Sequence, residues 1–287
     1  ACRDGQGRMH VAWVETGGVP GTTSGGRILY TRLDRYGNTL VDDLQLDSGS
    51  YVGYEGVAIG CAAEGDAHII WDGRDGLYEA RVDRWGYLVL ARTKVDTDVS
   101  KWPALAMDSR GWAHAAYRRP SYYQAYAMLS PDGLVAARTE GDKNDASTYN
   151  RIAVDAYGAP HILRESADDR QLLYLRQAAG DQPGIPERAI AALGWAGSGT
   201  DAHMPAMALD GAGNAYIFFW PAISGSDPRG LYLEKIGRDG LSAIDNLRVW
   251  PGWQFDTSIG APLLDIATDS SGNVHLVARG NFGRDPS

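Results

Sequence analysis

Short apolar stretches and glycine turns alternate from one end of this chain to the other. The stretches are rich in Val, Ile, Leu, Trp and Tyr, a composition that favours strands. No segment sustains the i, i+3, i+4, i+7 spacing of a helical face; only "ERAIAALGWA" (187–196) is expected to coil briefly. The turns share the pattern D-x-x-G. Asp places a carboxylate where it accepts backbone N–H groups, and Gly supplies the positive φ that a short hairpin connection requires. Successive antiparallel hairpins are the expected local structure.

The pattern recurs six times, as "CRDGQGRMHVAW" (2–13), "CAAEGDAHIIW" (61–71), "AMDSRGWAHAAY" (106–117), "AVDAYGAPHILR" (153–164), "ALDGAGNAYIFF" (208–219) and "ATDSSGNVHLVA" (267–278). His10, His68, His114, His161, Tyr216 and His275 fall in register, at spacings of 58, 46, 47, 55 and 59 residues. Five units continue into a Tyr-bearing strand and a second turn, as in "RILYTRLDRYGNTL" and "GLYEARVDRWGYL". Four short strands per repeat, repeated about six times, predict an all-β fold: a six-bladed β-propeller of four-stranded antiparallel blades in a single domain, 1–287. The blades are expected at 1–50, 51–98, 99–145, 146–198, 199–255 and 256–287. The last unit resembles the first because neighbours in a ring are alike. The last blade is expected to be incomplete, lacking its outer pair of strands. Either the chain is a fragment of a longer one, or another subunit completes the open edge by strand addition, giving a homo-oligomer.

"IAVDAYGAPHIL" and "YTRLDRYGNTLVDD" resemble the repeats of secreted bacterial and archaeal six-bladed β-propeller proteins with BNR-like, sialidase-related repeats. The resemblance spans nearly the whole chain. It implies the fold; for activity it implies a range that includes lectins, adhesins, surface-layer proteins and a few glycosidases or lyases. The strict sialidase motif S-x-D-x-G-x-x-W is not reproduced, since "TDSSGNVHL" and "LDRYGNTLV" lack the terminal Trp.

At 287 residues and 44% hydrophobic content, the chain is long enough to bury a substantial core. Its net charge of −9 disfavours nucleic acid and anionic membranes as general partners, and no apolar run approaches the roughly 20 residues of a membrane helix. Cys2 and Cys61 lie one residue apart in the repeat alignment. A disulfide between them would pin the N-terminus and imply an oxidising compartment; two buried thiols are the alternative. Metal and cofactor motifs are missing, and neither is expected.

A residue that recurs in every unit serves architecture; an exception is free to serve recognition. The in-register histidines therefore read as structural, each donating to a neighbouring blade's backbone. Trp13, Trp71, Tyr117 and Phe219 read as core, as do Tyr30, Tyr78, Tyr126, Tyr174 and Tyr232. The asymmetric candidates for ligand binding are Arg118, Arg164 and Arg279 near the ends of second strands, together with Trp102, Tyr149, His203 and Trp253 in blade-specific loops. Three converging guanidinium groups suit a carboxylate, and aromatic platforms beside polar groups suit sugar rings. The competing reading pairs the arginines with Glu165, Asp168 and Asp169. Asp72, Glu165 and Asp256 are available as catalytic carboxylates, but nothing in their spacing selects them. The leading expectation is an extracellular or cell-surface, non-enzymatic module that binds a glycan or a neighbouring subunit. The alternatives are a sialidase-like hydrolase or lyase acting on an acidic glycan, and a purely structural surface-layer or filament subunit.

Overall fold

The computed structural model describes residues 1–15, 26–48, 52–73, 75–98, 101–119, 124–140, 147–166, 171–180, 183–192, 205–220, 230–251, 253–254, 264–278 and 281–282. The chain divides into two compact units, Ala1–Ala146 and Ser147–Ser287. All regular elements among the described residues are strands.

The first unit holds three four-stranded sheets. They comprise β1 (Cys2–Arg3), β2 (Met9–Glu15), β3 (Arg27–Leu33) and β4 (Thr39–Ser48); β5 (Val52–Cys61), β6 (Ala67–Gly73), β7 (Gly76–Val82) and β8 (Leu88–Asp96); and β9 (Lys101–Met107), β10 (Ala113–Arg118), β11 (Gln124–Leu129) and β12 (Val135–Glu140). The second unit holds β13 (Ser147–Val154), β14 (Pro160–Ser166), β15 (Gln171–Arg176) and β16 (Ile185–Ala192), then β17 (Ala206–Leu209), β18 (Ala215–Phe219), β19 (Gly230–Ile236) and β20 (Ser242–Pro251). Two shorter ladders follow: β21 (Trp253–Gln254) with β24 (Asn281–Phe282), and β22 (Leu264–Thr268) with β23 (Val274–Ala278). Sequential antiparallel four-stranded sheets of this kind are consistent with a propeller.

The second strands of the second, third and fourth sheets, β6, β10 and β14, are buried along their whole length because both of their faces are covered. In β6, Ile69 and Trp71 pack with Ile28 and Tyr30 of the first sheet, while Ile70 packs with Tyr117 and Leu129 of the third. Outer strands such as β4 are mostly exposed, and their sequences alternate accordingly. The segment expected to coil, 187–196, is instead the strand β16 through Ala192, paired along β15 with Ile190 buried; residues 193–196 lie outside the described set. Packing against β15 and the apolar cluster around Leu163 and Tyr174 outweighs the weak helical preference of its alanines.

The turns behave as their sequence predicts. Asp4, Asp34, Asp83, Asp108, Asp155, Asp210 and Asp269 each accept the N–H groups of the residues two and four further on at Oδ1, over 2.8–3.0 Å. The fourth residue is Gly in the left-handed region, as at Gly111 (φ 81°) and Gly158 (φ 82°). Cys2 and Cys61 form a disulfide with Cα atoms 5.8 Å apart, tying the two-residue β1 to β5.

The histidines are structural in a different way from the one expected. His10, His161 and His275 donate not to a neighbouring backbone but to the Asp of their own turn. His10 Nε2 lies 3.1 Å from Asp4 Oδ2, and its Nδ1 lies 2.7 Å from the Tyr30 hydroxyl. His161 repeats this with Asp155 (3.4 Å) and Tyr174 (2.7 Å); His114 keeps Tyr126 at 2.6 Å, with Asp108 at 3.7 Å. A carboxylate only accepts, so Nε2 carries the proton and the Tyr hydroxyl donates to Nδ1. Register explains which Tyr takes part. Tyr30, Tyr126 and Tyr174 stand opposite the second residue after the His, whereas Tyr78 and Tyr232 stand opposite the third and stack on Trp71 and Phe219. In the second sheet Glu79 therefore occupies the Tyr position, bonding His68 Nδ1 at 2.5 Å, and Ala62 replaces the turn Asp. The carboxylate has moved from one side of the imidazole to the other.

Candidate functional site

Counting from the aligned His or Tyr, the fourth residue on is not held constant, with five residue types in six units: Val14, Asp72, Arg118, Glu165, Trp220 and Arg279. Asp72, Arg118, Glu165 and Trp220 are all buried, at 3%, 9%, 4% and 8% exposure. Opposite this position, or one residue before it, the first strand bulges in three sheets. The register slips between Val52 and Val57 across from Asp72, and between Ser147 and Asn150 across from Glu165. In the third sheet Ala104 pairs with Ala116 but Lys101 pairs with Arg118, so Trp102 and Pro103 together face Tyr117. Bulges re-aim side chains at strand ends.

The bulge in the third sheet is the most strained of these. Three described residues other than Gly have positive φ: Asp43, Asn246 and Trp102, the last at 48°. Asp and Asn tolerate the left-handed region, whereas a bulky aromatic residue does so only when its surroundings hold it there. Arg118 supplies part of that hold, its guanidinium carbon lying 4.2 Å from the centroid of the Trp102 ring. Beneath them, Tyr117 donates to Asp96 Oδ2 at 2.7 Å, and Arg119 bridges Asp96, at 3.3 Å, and Asp98. Burial and the adjoining Asp96 carboxylate push the Tyr117 hydroxyl far above its ordinary pKa, so it stays a neutral phenol. Tyr117 was read from sequence as core, and Asp96 and Arg119 were not selected, although "DTD" at 96–98 and "RR" at 118–119 are a charge match that points to them.

In the second unit, Arg164 makes a two-pronged pair with Glu187 on β16, Nε to Oε2 at 2.7 Å and Nη2 to Oε1 at 2.6 Å. Glu187 was not among the carboxylates considered as its partners. Arg164 is the third residue after His161, so in register it matches Tyr117, and Glu165 matches Arg118. Buried polar side chains cluster around this strand end: Asn150, Glu165 and Ser166 are at most 4% exposed. Tyr149 lies on β13 and Trp253 on β21, but their side chains lie outside the described set, as do Arg279, His203, Asp168, Asp169 and Asp256 altogether.

At the turn end of the same unit, a groove of about 720 Å³ is lined by Arg176, Pro183, Ile185, Asn214, Arg238 and Leu241, among others. Arg176 donates to the carbonyls of Arg238 and Pro183, both at 2.7 Å, and so pins the fourth sheet to the fifth. Arg32 and Arg81 pin their neighbouring turns in the same manner. The groove accompanies the long β15–β16 connection, and its guanidinium serves the architecture.

No protein-family model matches the chain, and no curated protein matches it. Solved structures do. A protein of unknown function from Dyadobacter fermentans aligns over 99% of this chain and 90% of its own, at TM-score 0.60 and 10% identity. An α-L-arabinanase from Penicillium chrysogenum, complexed with arabinobiose, aligns over 77% and 74% (TM-score 0.47, 10% identity). An exo-β-1,3-galactanase from Clostridium thermocellum aligns over 81% and 55% (TM-score 0.45, 12% identity). At such identities the likeness to the Dyadobacter protein is one of fold.

Proposed function

We propose that the chain is a six-bladed propeller with an incomplete last blade, working outside the cell as a non-enzymatic module that binds carbohydrate at its strand-end positions. The observation that carries this reading is Trp102, kept in a costly backbone conformation and backed by the Arg118 guanidinium. A half-buried ring on a rigid bulge offers a flat apolar face to the C–H side of a sugar, and the guanidinium beside it offers donors to hydroxyl or carboxylate oxygens. The Cys2–Cys61 disulfide supports an oxidising compartment. The hydrolase alternative receives less support. The Tyr117–Asp96 pair has the composition of a nucleophile with its carboxylate, yet Tyr117 is held as a neutral phenol. Arg118, Arg164 and Arg279 as a carboxylate grip belong to that alternative.

The test is calorimetric titration of the purified chain with soluble glycans chosen from an array. Trp102→Ala is expected to weaken binding at least ten-fold without changing the melting temperature by more than a few degrees, and no glycan is expected to be cleaved. Unchanged affinity in this variant would overturn the reading. A second reading, assembly with another copy, is favoured by β23. This strand is the described edge of its sheet, with Val277 73% exposed, whereas β6, β10 and β14 are buried throughout.

A further inference from the structure

The second turns of the first two sheets carry the same unusual pair of residues. Asp34-Arg35-Tyr36-Gly37 and Asp83-Arg84-Trp85-Gly86 both place Arg and then an aromatic residue at the tip. Tyr36 is 74% exposed, Trp85 69% and the adjoining Tyr87 71%. The turn itself does not need these rings. The corresponding turns at Ser130-Pro131-Asp132-Gly133 and Gly237-Arg238-Asp239-Gly240 keep the same backbone hydrogen bonds with Asp at the tip. Large rings left in water on the turns of two consecutive sheets gain nothing unless something covers them.

The tips are rigid. The Tyr36 and Trp85 N–H groups are clamped to the Asp34 and Asp83 carboxylates at 2.8 and 3.0 Å. A guanidinium sits over each tip ring, Arg35 at 4.7 Å from the Tyr36 centroid and Arg84 at 5.3 Å from that of Trp85. The two turns are also locked together. Arg32 reaches from β3 to the Arg84 carbonyl at 2.9 Å, Arg8 reaches the same carbonyl at 3.3 Å, and a Cβ on Gly86 would come within 2.6 Å of Val41 at the start of β4. The spacing between the platforms is thus set by sheet packing.

Charge decides what fits. Arg8 is paired with Asp4 and Arg84 with Asp66, and the turn carboxylates Asp34 and Asp83 match Arg32 and Arg35 in number, so the patch has no strong field of either sign. We propose that Tyr36, Trp85 and Tyr87 form a second carbohydrate site, at the turn end of the first unit, which stacks a neutral polysaccharide chain across two adjacent sheets. This rests on the carbohydrate reading above but not on Trp102.

Affinity electrophoresis of the full chain through gels containing dextran, laminarin, galactomannan, polygalacturonate or heparin tests it. At least one neutral polymer is expected to retard the chain. The Tyr36→Ala, Trp85→Ala double variant is expected to lose that retardation at least ten-fold with an unchanged circular dichroism spectrum and melting curve, since both rings lie on the surface. Retardation by neutral polymer that survives the double variant but is lost in Trp102→Ala overturns this site alone. Binding confined to polygalacturonate or heparin overturns its neutral specificity. No retardation by any polymer overturns this site and the carbohydrate reading together.

Discussion

Each Asp–His–Tyr triad buries its imidazole, with Nδ1 bonded to the Tyr hydroxyl in all three and Nε2 bonded to the Asp at His10 and His161, and burial decides its charge. Desolvation holds His10, His114 and His161 below the ordinary histidine range despite a neighbouring carboxylate, with His161 near 4. As pH falls below about 6.5 the unfolded chain binds protons at these sites that the folded chain does not, so stability falls with pH, and at His161 the loss continues to about pH 4. For His161 alone the loss is up to about 3 kcal/mol. Asp4 adds to it further down: hydrogen bonds from His10 and Arg8 outweigh its burial and keep it below 3.8, so protonating it costs stability as pH falls past that value. Urea melts at pH 7, 5.5 and 4.5 should show midpoints declining in that order. The second sheet tests the logic of the triad. Ala62→Asp alone sets two carboxylates on His68, and Glu79→Tyr alone leaves its Nε2 without the Asp; each should destabilise. The double variant rebuilds the triad of the neighbouring sheets, so the two changes should couple by about 1 kcal/mol or more in a double-mutant cycle.

At the level of elements, the weakest piece is β1, two residues that pair only Cys2 with His10 and Arg3 with Met9. Its place depends on the disulfide to β5 and on the Gly5 N–H bond to the Ala63 carbonyl at 3.0 Å. The bridge closes a sequence separation of 59 residues, worth about 4 kcal/mol in a chain-entropy account. Cys2→Ser, or reduction of the native chain, should lower the melting temperature by several degrees; an unchanged melt would show that β1 contributes little. By contrast the Asp-clamped turns are self-sufficient. Seven of them repeat one geometry in both units and in surroundings that range from buried Asp155 to half-buried Asp34, so the five residues of the turn specify it locally.

Over the whole molecule, apolar clusters form between consecutive sheets within each unit, so every inner strand needs a neighbour on both faces. Among the described residues the β22–β23 ladder is packed on one face only, against Phe218 and Leu231. His275 keeps its bond to Asp269 at 3.2 Å, yet its side chain is 66% exposed where the other in-register histidines are at most 2%. Sedimentation velocity across a hundred-fold concentration range should reveal association if this edge takes a strand from a second copy; a constant monomer would remove assembly from the functional readings.

Strand character, the repeat, the Asp-x-x-Gly turns and the cysteine pairing were all readable along the chain, because each depends on residues close together in sequence or at one repeat position. Tertiary structure decided what the repeat leaves open. Whether Tyr78 or Glu79 meets His68 turns on a one-residue step in register, which sends successive side chains to opposite faces. Arg164 found Glu187, two strands away, because both point to the same face of one sheet. Trp102 took a strained conformation because the bulge opposite Tyr117 put it there. The chain's local code therefore states which backbone forms, while the partners of its buried charges and the aim of its recognition residues follow from the packing of whole sheets, which no short window of sequence contains.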